Sequence, residues 1–258
     1  MSPSSDAVGW CMEDALAILT LNRPQTRNSL RVDEMAAVGV AVDEMVAAGA
    51  RAVLIRGEGG AFCAGRDLKE TNPETDDTLS ILRDRINPAL QKVRDCLLPT
   101  IAAVDGPALG FGFGLALACD ITIVADDALL GSPFRNIGAV LDSGGHYYLR
   151  ERVGRHRAAE IIFTGRLLSG REAAVMGLVN RSVGALDLAA IAQRMARDMA
   201  AGPTAAFRAS KKILAQDRPY EEVAAMEAAC QAEVLAGADG MEGIRAFQEK
   251  RRPRFVGR

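Results

Sequence analysis

The sequence predicts an α/β fold with a helical tail, and three features of its patterning carry that prediction. Apolar runs rich in β-branched residues recur at residues 15–21, 52–55, 101–104 and 121–124, each bounded by Pro, Gly, Asn or Asp. Between them the apolar period changes to that of a helix. Met35, Val38, Val42 and Met45 share one face, and Ile86, Leu90, Val93 and Leu97 share another. Pro88, inside the second pattern, marks a helix start or a kink. This alternation runs through the first two-thirds of the chain and indicates an α/β core. The last third is Ala-rich from Leu186 on, with Val223, Met226, Cys230 and Val234 on one stripe and breaks only at Gly202-Pro203 and Arg218-Pro219. Such a pattern predicts successive helices, packed on their own domain or on a neighbouring subunit.

The chain's 258 residues are near the upper end for one domain and suffice for a large buried core. A formal net charge of −2 argues against a sequence-independent nucleic-acid binder, which needs a basic surface. The opening Met-Ser-Pro-Ser-Ser-Asp has no basic residue and no apolar stretch, so it does not read as a signal peptide. No run approaches the roughly 20 apolar residues that span a bilayer. Five scattered cysteines (Cys11, Cys63, Cys96, Cys119, Cys230) form no C-x-x-C pair, which argues against a disulfide framework or zinc ribbon and fits a reducing compartment. With only His146 and His156, a His-rich metal site is not expected. The expectation is a cytoplasmic protein with no metal and neither a membrane nor a nucleic-acid partner.

Three segments are candidates for chemistry. In the first, Gly57 to Leu68, a strand ends in glycines, turns, and delivers Ala64-Gly65 before a helix expected near Asp67. Small residues there let a substrate approach the backbone and leave N–H groups free to donate, although a tight turn with nothing bound has the same pattern. The second, Val104 to Gly114, again follows a strand and opens a helix at 115–119, where N–H groups point outward and negative charge is favoured. Gly110, Gly112 and Gly114 imitate a dinucleotide fingerprint, but the third glycine comes two residues after the second instead of three. Two backbone-donor turns in one chain suggest a hole for an oxyanion. In the third segment, Leu130 to Leu149, Asp142 precedes Ser143-Gly144-Gly145 and reads either as a helix N-cap or as a base.

With these segments in register, the sequence resembles the enoyl-CoA hydratase/isomerase (crotonase) superfamily. The motifs begin with Leu21-Asn22-Arg23-Pro24 and Arg27-Asn28-Ser29-Leu30, continue through Phe62 to Leu68 and Ile101 to Gly110, and include Thr164-Gly165 with Ala173 to Val179. They close with Glu242 to Arg251. The resemblance implies a spiral of ββα units over residues 1–195 and a C-terminal helical trimerisation region over 196–258, assembled as a homotrimer or dimer of trimers. It implies an acyl-CoA substrate, no cofactor beyond that coenzyme A, and an oxyanion hole made by the main-chain N–H groups of Ala64 and Phe111. It also places Arg27, Ala64, Asp67, Leu68 and Gly110 along the coenzyme A path. Arg66, usually a small residue in this family, reads as a phosphate contact or as a solvated arginine. Lys250 and Arg251 become candidates to reach a nucleotide phosphate on a neighbour.

The chain departs from the family's hydratases in one respect that bears on the reaction. Two glutamates hold and activate water in those enzymes, and the matching positions here are Gly114 and Phe134. Neither side chain transfers a proton, and each positioned acid or base contributes about 10²–10⁴-fold. Asp142 stands where hydratases commonly have glycine, a feature shared with isomerases, ring-closing and ring-opening enzymes and dehalogenases of the superfamily. The expectation is therefore an enoyl-CoA isomerase with Asp142 as base. An enoyl-CoA hydratase, a ring-opening or hydrolytic enzyme using Asp142, and an inactive acyl-CoA-binding protein are the alternatives. Phe111, Phe113 and Phe134 are expected to line Asp142 and raise its pKa by desolvation, unless they are simple core residues. His146, Tyr147 and Tyr148 are candidates to orient it.

Overall fold

The computed structural model describes residues 2–5 and 7–258. Ten strands form among the described residues, in chain order: β1 (Ser2–Ser5), β2 (Val8–Glu13), β3 (Leu16–Leu21), β4 (Ala52–Gly57), β5 (Thr100–Val104), β6 (Pro107–Leu109), β7 (Ile121–Ala125), β8 (Leu129–Gly131), β9 (Leu168–Ser169) and β10 (Arg181–Val183). The main sheet runs β1-β2-β3-β4-β5-β7-β10, antiparallel as far as β3 and parallel from there on. A smaller sheet, β6-β8-β9, lies beside it. β5 and β7 each belong to the main sheet, and each is followed within a few residues by a short strand of the second sheet. This is the repeated ββα step of a crotonase-like spiral.

The central strands are apolar on both faces because both faces are covered. β5 is buried at all five positions, and β3 at five of six. Between the strands lie α1 (Val32–Ala47), a short α2 (Thr78–Ile81), α3 (Asn87–Asp95), α4 (Phe111–Ala118), α5 (Gly145–Thr164) and α6 (Gly170–Val175). A π-helical turn, Leu82–Ile86, precedes α3, and the Asn87 amide donates to the Leu82 carbonyl. Pro88 explains it: without an N–H it cannot close the bond to Asp84 that an α-turn requires. α4 is apolar all round, with all eight residues buried, and runs through the centre of the molecule.

Four helices follow: α7 (Ala185–Ala200), α8 (Thr204–Leu214), α9 (Tyr220–Ala236) and α10 (Ala238–Gln248). The boundary expected between residues 195 and 196 falls inside α7. That helix packs on β4, β5 and β7 through Leu188, Ala192, Ala196 and Ala200, so it belongs to the core. After the break at Gly202-Pro203, α8 is still tied to the α/β body, through Arg51 to Thr204 and Lys211 to Asp120. α9 has no fully buried residue and packs chiefly on α8 and α10. No helix among the described residues is long and apolar enough to cross a membrane.

Candidate active site

Two chain segments run in parallel beneath one end of α4. The Cys63 amide donates to the Pro107 carbonyl (2.9 Å) and the Leu109 amide to the Cys63 carbonyl (2.8 Å), which pairs Cys63 with Ala108. Two residues on, Gly65 has φ +96°, and a Cβ there would lie 2.8 Å from the Leu109 carbonyl oxygen and 3.7 Å from the Gly110 Cα. Only glycine permits that approach. Arg66 lies three residues after Cys63 and Phe111 three after Ala108, so the register sets their backbones side by side.

The amides that remain free follow from the hydrogen-bond ledger. Leu30 donates to the Gly65 carbonyl and accepts from the Asp67 amide, both at 2.9 Å. Carbonyl and N–H of one trans peptide point in opposite directions, so the Arg66 amide is turned away from Leu30, with no acceptor among the described residues. Phe111 is the first residue of α4, where an amide has no partner within its helix and the dipole favours negative charge. Gly110 is not available, since its amide donates to the Gly131 carbonyl at 3.0 Å.

Ala64 is a correction. Its amide donates to the Arg27 carbonyl at 2.9 Å, so it has nothing left for a ligand. The left-handed backbone at Arg27 (φ +53°) is part of the turn that offers that carbonyl. The free amides at these two turns are thus those of Arg66 and Phe111, and they are the candidate donor pair. Asp67 is a second correction, because the helix expected there is a single 3₁₀ turn, Leu68–Glu70, that Asp67 caps by accepting from the Lys69 amide.

The strip from Arg27 to Leu68 rests on Arg23, Asn28 and Glu34, of which the first two belong to quoted motifs but carry no expected role. Arg23 bridges Glu34 (3.0 Å) and Asp67 (3.3 Å), which leaves the Asp67 carboxylate engaged within the protein. Asn28 is fully buried, accepts from the Arg23 amide and donates to the carbonyls of Glu58 and Ala61. Replacing Asn28 with Ala strands three partners, and unfolding in urea is expected to show a loss of roughly 3 kcal/mol. Along this strip Arg27 is exposed and Leu68 is 56% exposed. Arg66 is half-buried and paired with Asp76, so it is not a solvated surface arginine. Arg251 is held by Glu242 and Glu249 of its own chain.

Asp142 lies in the loop that leads into α5, and that loop packs on α4, the helix that Phe111 opens. The carbonyl of the following residue, Ser143, would lie 2.3 Å from a Cβ placed on Gly114, so the loop is seated directly on α4 three residues past Phe111. The N-cap reading does not hold. Gly144 occupies that position, and Asp142 gives the Gly145 amide only its main-chain carbonyl. Its carboxylate instead accepts from Ser143 Oγ at 2.8 Å. Burial raises the Asp142 pKa above the ordinary carboxylate range, and the Ser143 hydrogen bond and the Arg66 charge oppose that rise.

Of the three phenylalanines, Phe134 approaches Gly110, its ring edge 3.2 Å from where a Gly110 Cβ would be. Phe111 and Phe113 are 3% and 1% exposed and belong to the hydrophobic core. His146 and Tyr147 are exposed. Tyr148 is buried, but under Arg152 (5.3 Å from the ring centroid), in a cavity of about 820 Å³ lined by the last residues of α4. That is the end of the helix away from Phe111.

A family model described as enoyl-CoA hydratase/isomerase matches residues 12–258. The chain belongs to the enoyl-CoA hydratase/isomerase family. It is 37% identical over 261 residues to a Rhodobacter capsulatus protein named "Probable enoyl-CoA hydratase", covering 99% of this chain and 100% of that one. It is 35% identical over 251 residues to the mitochondrial methylglutaconyl-CoA hydratase of Homo sapiens, covering 94% of this chain and 74% of the relative. Among solved structures, an enoyl-CoA hydratase subunit I from Geobacillus kaustophilus superposes with a TM-score of 0.90 at 34% identity, covering 98% of this chain and 100% of that one. An acyl-CoA enzyme of this family therefore accounts for the fold.

Proposed function

We propose that this enzyme shifts a double bond in an enoyl-CoA, with Asp142 moving the proton and the amides of Arg66 and Phe111 holding the thioester oxygen. The observation that carries the reading is a single desolvated carboxylate on a loop seated against α4, the helix opened by the free amide of Phe111, at a site where Gly114 and Phe134 supply no second acid. Asp142 takes a proton from the carbon next to the thioester. The charge moves to the carbonyl oxygen, where preorganised donors stabilise it. The same carboxyl returns the proton at the far end of the conjugated system, so one group suffices for both steps. The strip of Arg27, Asp67, Leu68 and Gly110 would carry the coenzyme A, with the Asp67 carboxylate serving the protein and its main chain facing the ligand.

The names of the relatives favour hydration, and that second reading has Asp142 as its only carboxylate for activating water. Wild-type protein in deuterated water separates the two, using crotonyl-CoA, 3-enoyl-CoAs and ring-derived enoyl thioesters. A double-bond shift with deuterium in the product supports the isomerase. Rapid hydration of crotonyl-CoA sinks it in favour of the hydratase. Hydrolysis or ring opening points to the third use of Asp142, and binding without turnover to a protein that only holds acyl-CoA.

The same reading has α9 covered by neighbouring copies, since its own chain buries none of its residues. Light scattering is expected to give three or six times the 27.4 kDa of one chain. A monomer in solution would remove that part of the reading.

A further inference from the structure

Arg66 enters the site twice, through its amide and through its side chain. The side chain is only 23% exposed and its partner, Asp76, 22%. A guanidinium has five N–H donors. Here Nη2 donates to one Asp76 oxygen at 2.9 Å, and neither Nε nor Nη1 has an acceptor among the described residues. The same group faces a cavity of about 300 Å³ whose wall includes Arg31, Asp33, Asp67, Ile81 and Arg85. Arg31 is engaged by Glu34 and Asp67 by Arg23, while Asp33 is exposed. Arg85 is exposed and has no acceptor among the described residues. Two guanidiniums with unspent donors therefore face one small cavity, and one of them is mostly out of water. The Arg66 amide is one of the two free amides at the site, so the guanidinium lies within one arginine side chain of the thioester oxygen that those amides would hold.

We propose that Arg66 selects acyl-CoA thioesters whose acyl group carries its own carboxylate. The inference rests on the reading of this site as an acyl-CoA site and is independent of what Asp142 does. A carboxylate matches the planar fork of arginine, and charge-assisted bonds of this kind are about twice as strong as neutral ones. A phosphate of coenzyme A presents similar chemistry but is separated from the thioester by the whole pantetheine arm, whereas the Arg66 amide stands at the thioester end of that arm.

Calorimetric titration with glutaryl-CoA, valeryl-CoA and free coenzyme A tests this. The two thioesters have equal chain length, differ by one carboxylate, and have no double bond to shift. Wild-type protein is expected to bind glutaryl-CoA about tenfold or more tighter than valeryl-CoA, the effect of one charged hydrogen-bonded contact. Arg66→Met should bring that ratio to about 1 whatever it does to both thioesters in common, and Arg66→Lys should keep part of it, having the charge without the fork. A wild-type ratio near 1 overturns the proposal, leaves the acyl-CoA reading standing, and needs no variant to fold. Equal weakening of both thioesters and of coenzyme A in Arg66→Met overturns it in favour of a phosphate contact. Failure of wild type to bind either thioester removes the acyl-CoA reading itself, and the proposal with it.

Discussion

Asp142→Asn should slow the double-bond shift, and the accompanying exchange of substrate hydrogen with solvent, by about 10²–10⁴-fold, the contribution of one positioned base. Thioester affinity should stay close to wild type, because the groups that hold the carbonyl are main-chain amides. The pH dependence follows from the same carboxyl. Burial holds its pKa above the ordinary range, so the active, ionised form is lost on acidification at a higher pH than for an exposed aspartate. That acid limb should be missing from the residual activity of the variant. Undiminished exchange in Asp142→Asn would sink the assignment and require a base elsewhere.

Stability should move the opposite way from activity. A carboxyl whose pKa is raised by folding favours the fold in its neutral form. Its contribution is fully present below the unfolded pKa and is lost as pH rises through the folded pKa. At neutral pH the ionised Asp142 therefore costs stability. The neutral amide introduced by Asp142→Asn retains an oxygen to accept from Ser143 and removes that cost. The variant is expected to melt above wild type at neutral pH, with the difference closing in acid. Equal melting at both pH values would mean that desolvation of Asp142 is not what sets its chemistry.

How much of this is legible in the sequence depends on which property the residues encode. The four apolar runs match β3, β4, β5 and β7 within two residues at each end, because strands buried on both faces must be apolar throughout. β6, β8, β9 and β10 leave no trace in the pattern, since two or three residues carry no period to detect. Nor does β2, whose mixture of covered and open positions gives no clean alternation. The Ala-rich stripe from Leu186 on reads as helix, but it does not reveal that α7 packs on β4, β5 and β7, because such a stripe looks the same whether it meets a sheet or another helix. The donor pair is half legible. A glycine turn beside Ala64 stands out in the sequence, but which amide is free depends on the peptide plane that Gly65 rotates, and composition does not encode that. Asn28 and Glu34 are invisible as anchors for a related reason. The worth of Asn28 lies in partners 30 and 33 residues away, and that of Glu34 in an arginine of another turn.

Putting back the glutamate of the hydratases, Gly114→Glu, should destabilise the protein and bring no hydration of crotonyl-CoA. The first atom of any side chain at residue 114 would stand 2.3 Å from the Ser143 carbonyl oxygen and 2.6 Å from the Ser143 Cβ. Both obstacles belong to the loop that carries Asp142, and Ser143 itself is held in a left-handed backbone (φ +56°) with 3% exposure, so it has little room to retreat. Overpacking of this kind costs about 1–3 kcal/mol and sometimes more, read as a lower melting temperature and urea midpoint. Gly114→Ala should show most of the same loss, since the clash begins at Cβ. The loop can relieve it only by lifting off α4, which draws Asp142 away from the free amides and should lower isomerase turnover in step with stability. A side chain at 114 and an Asp142 loop seated against it thus exclude one another in this fold. That exclusion explains why the chain shows Gly114 and Asp142 together. Wild-type stability in Gly114→Glu, with crotonyl-CoA hydration gained, would show that the two arrangements are compatible and reopen paired-carboxylate chemistry at this site.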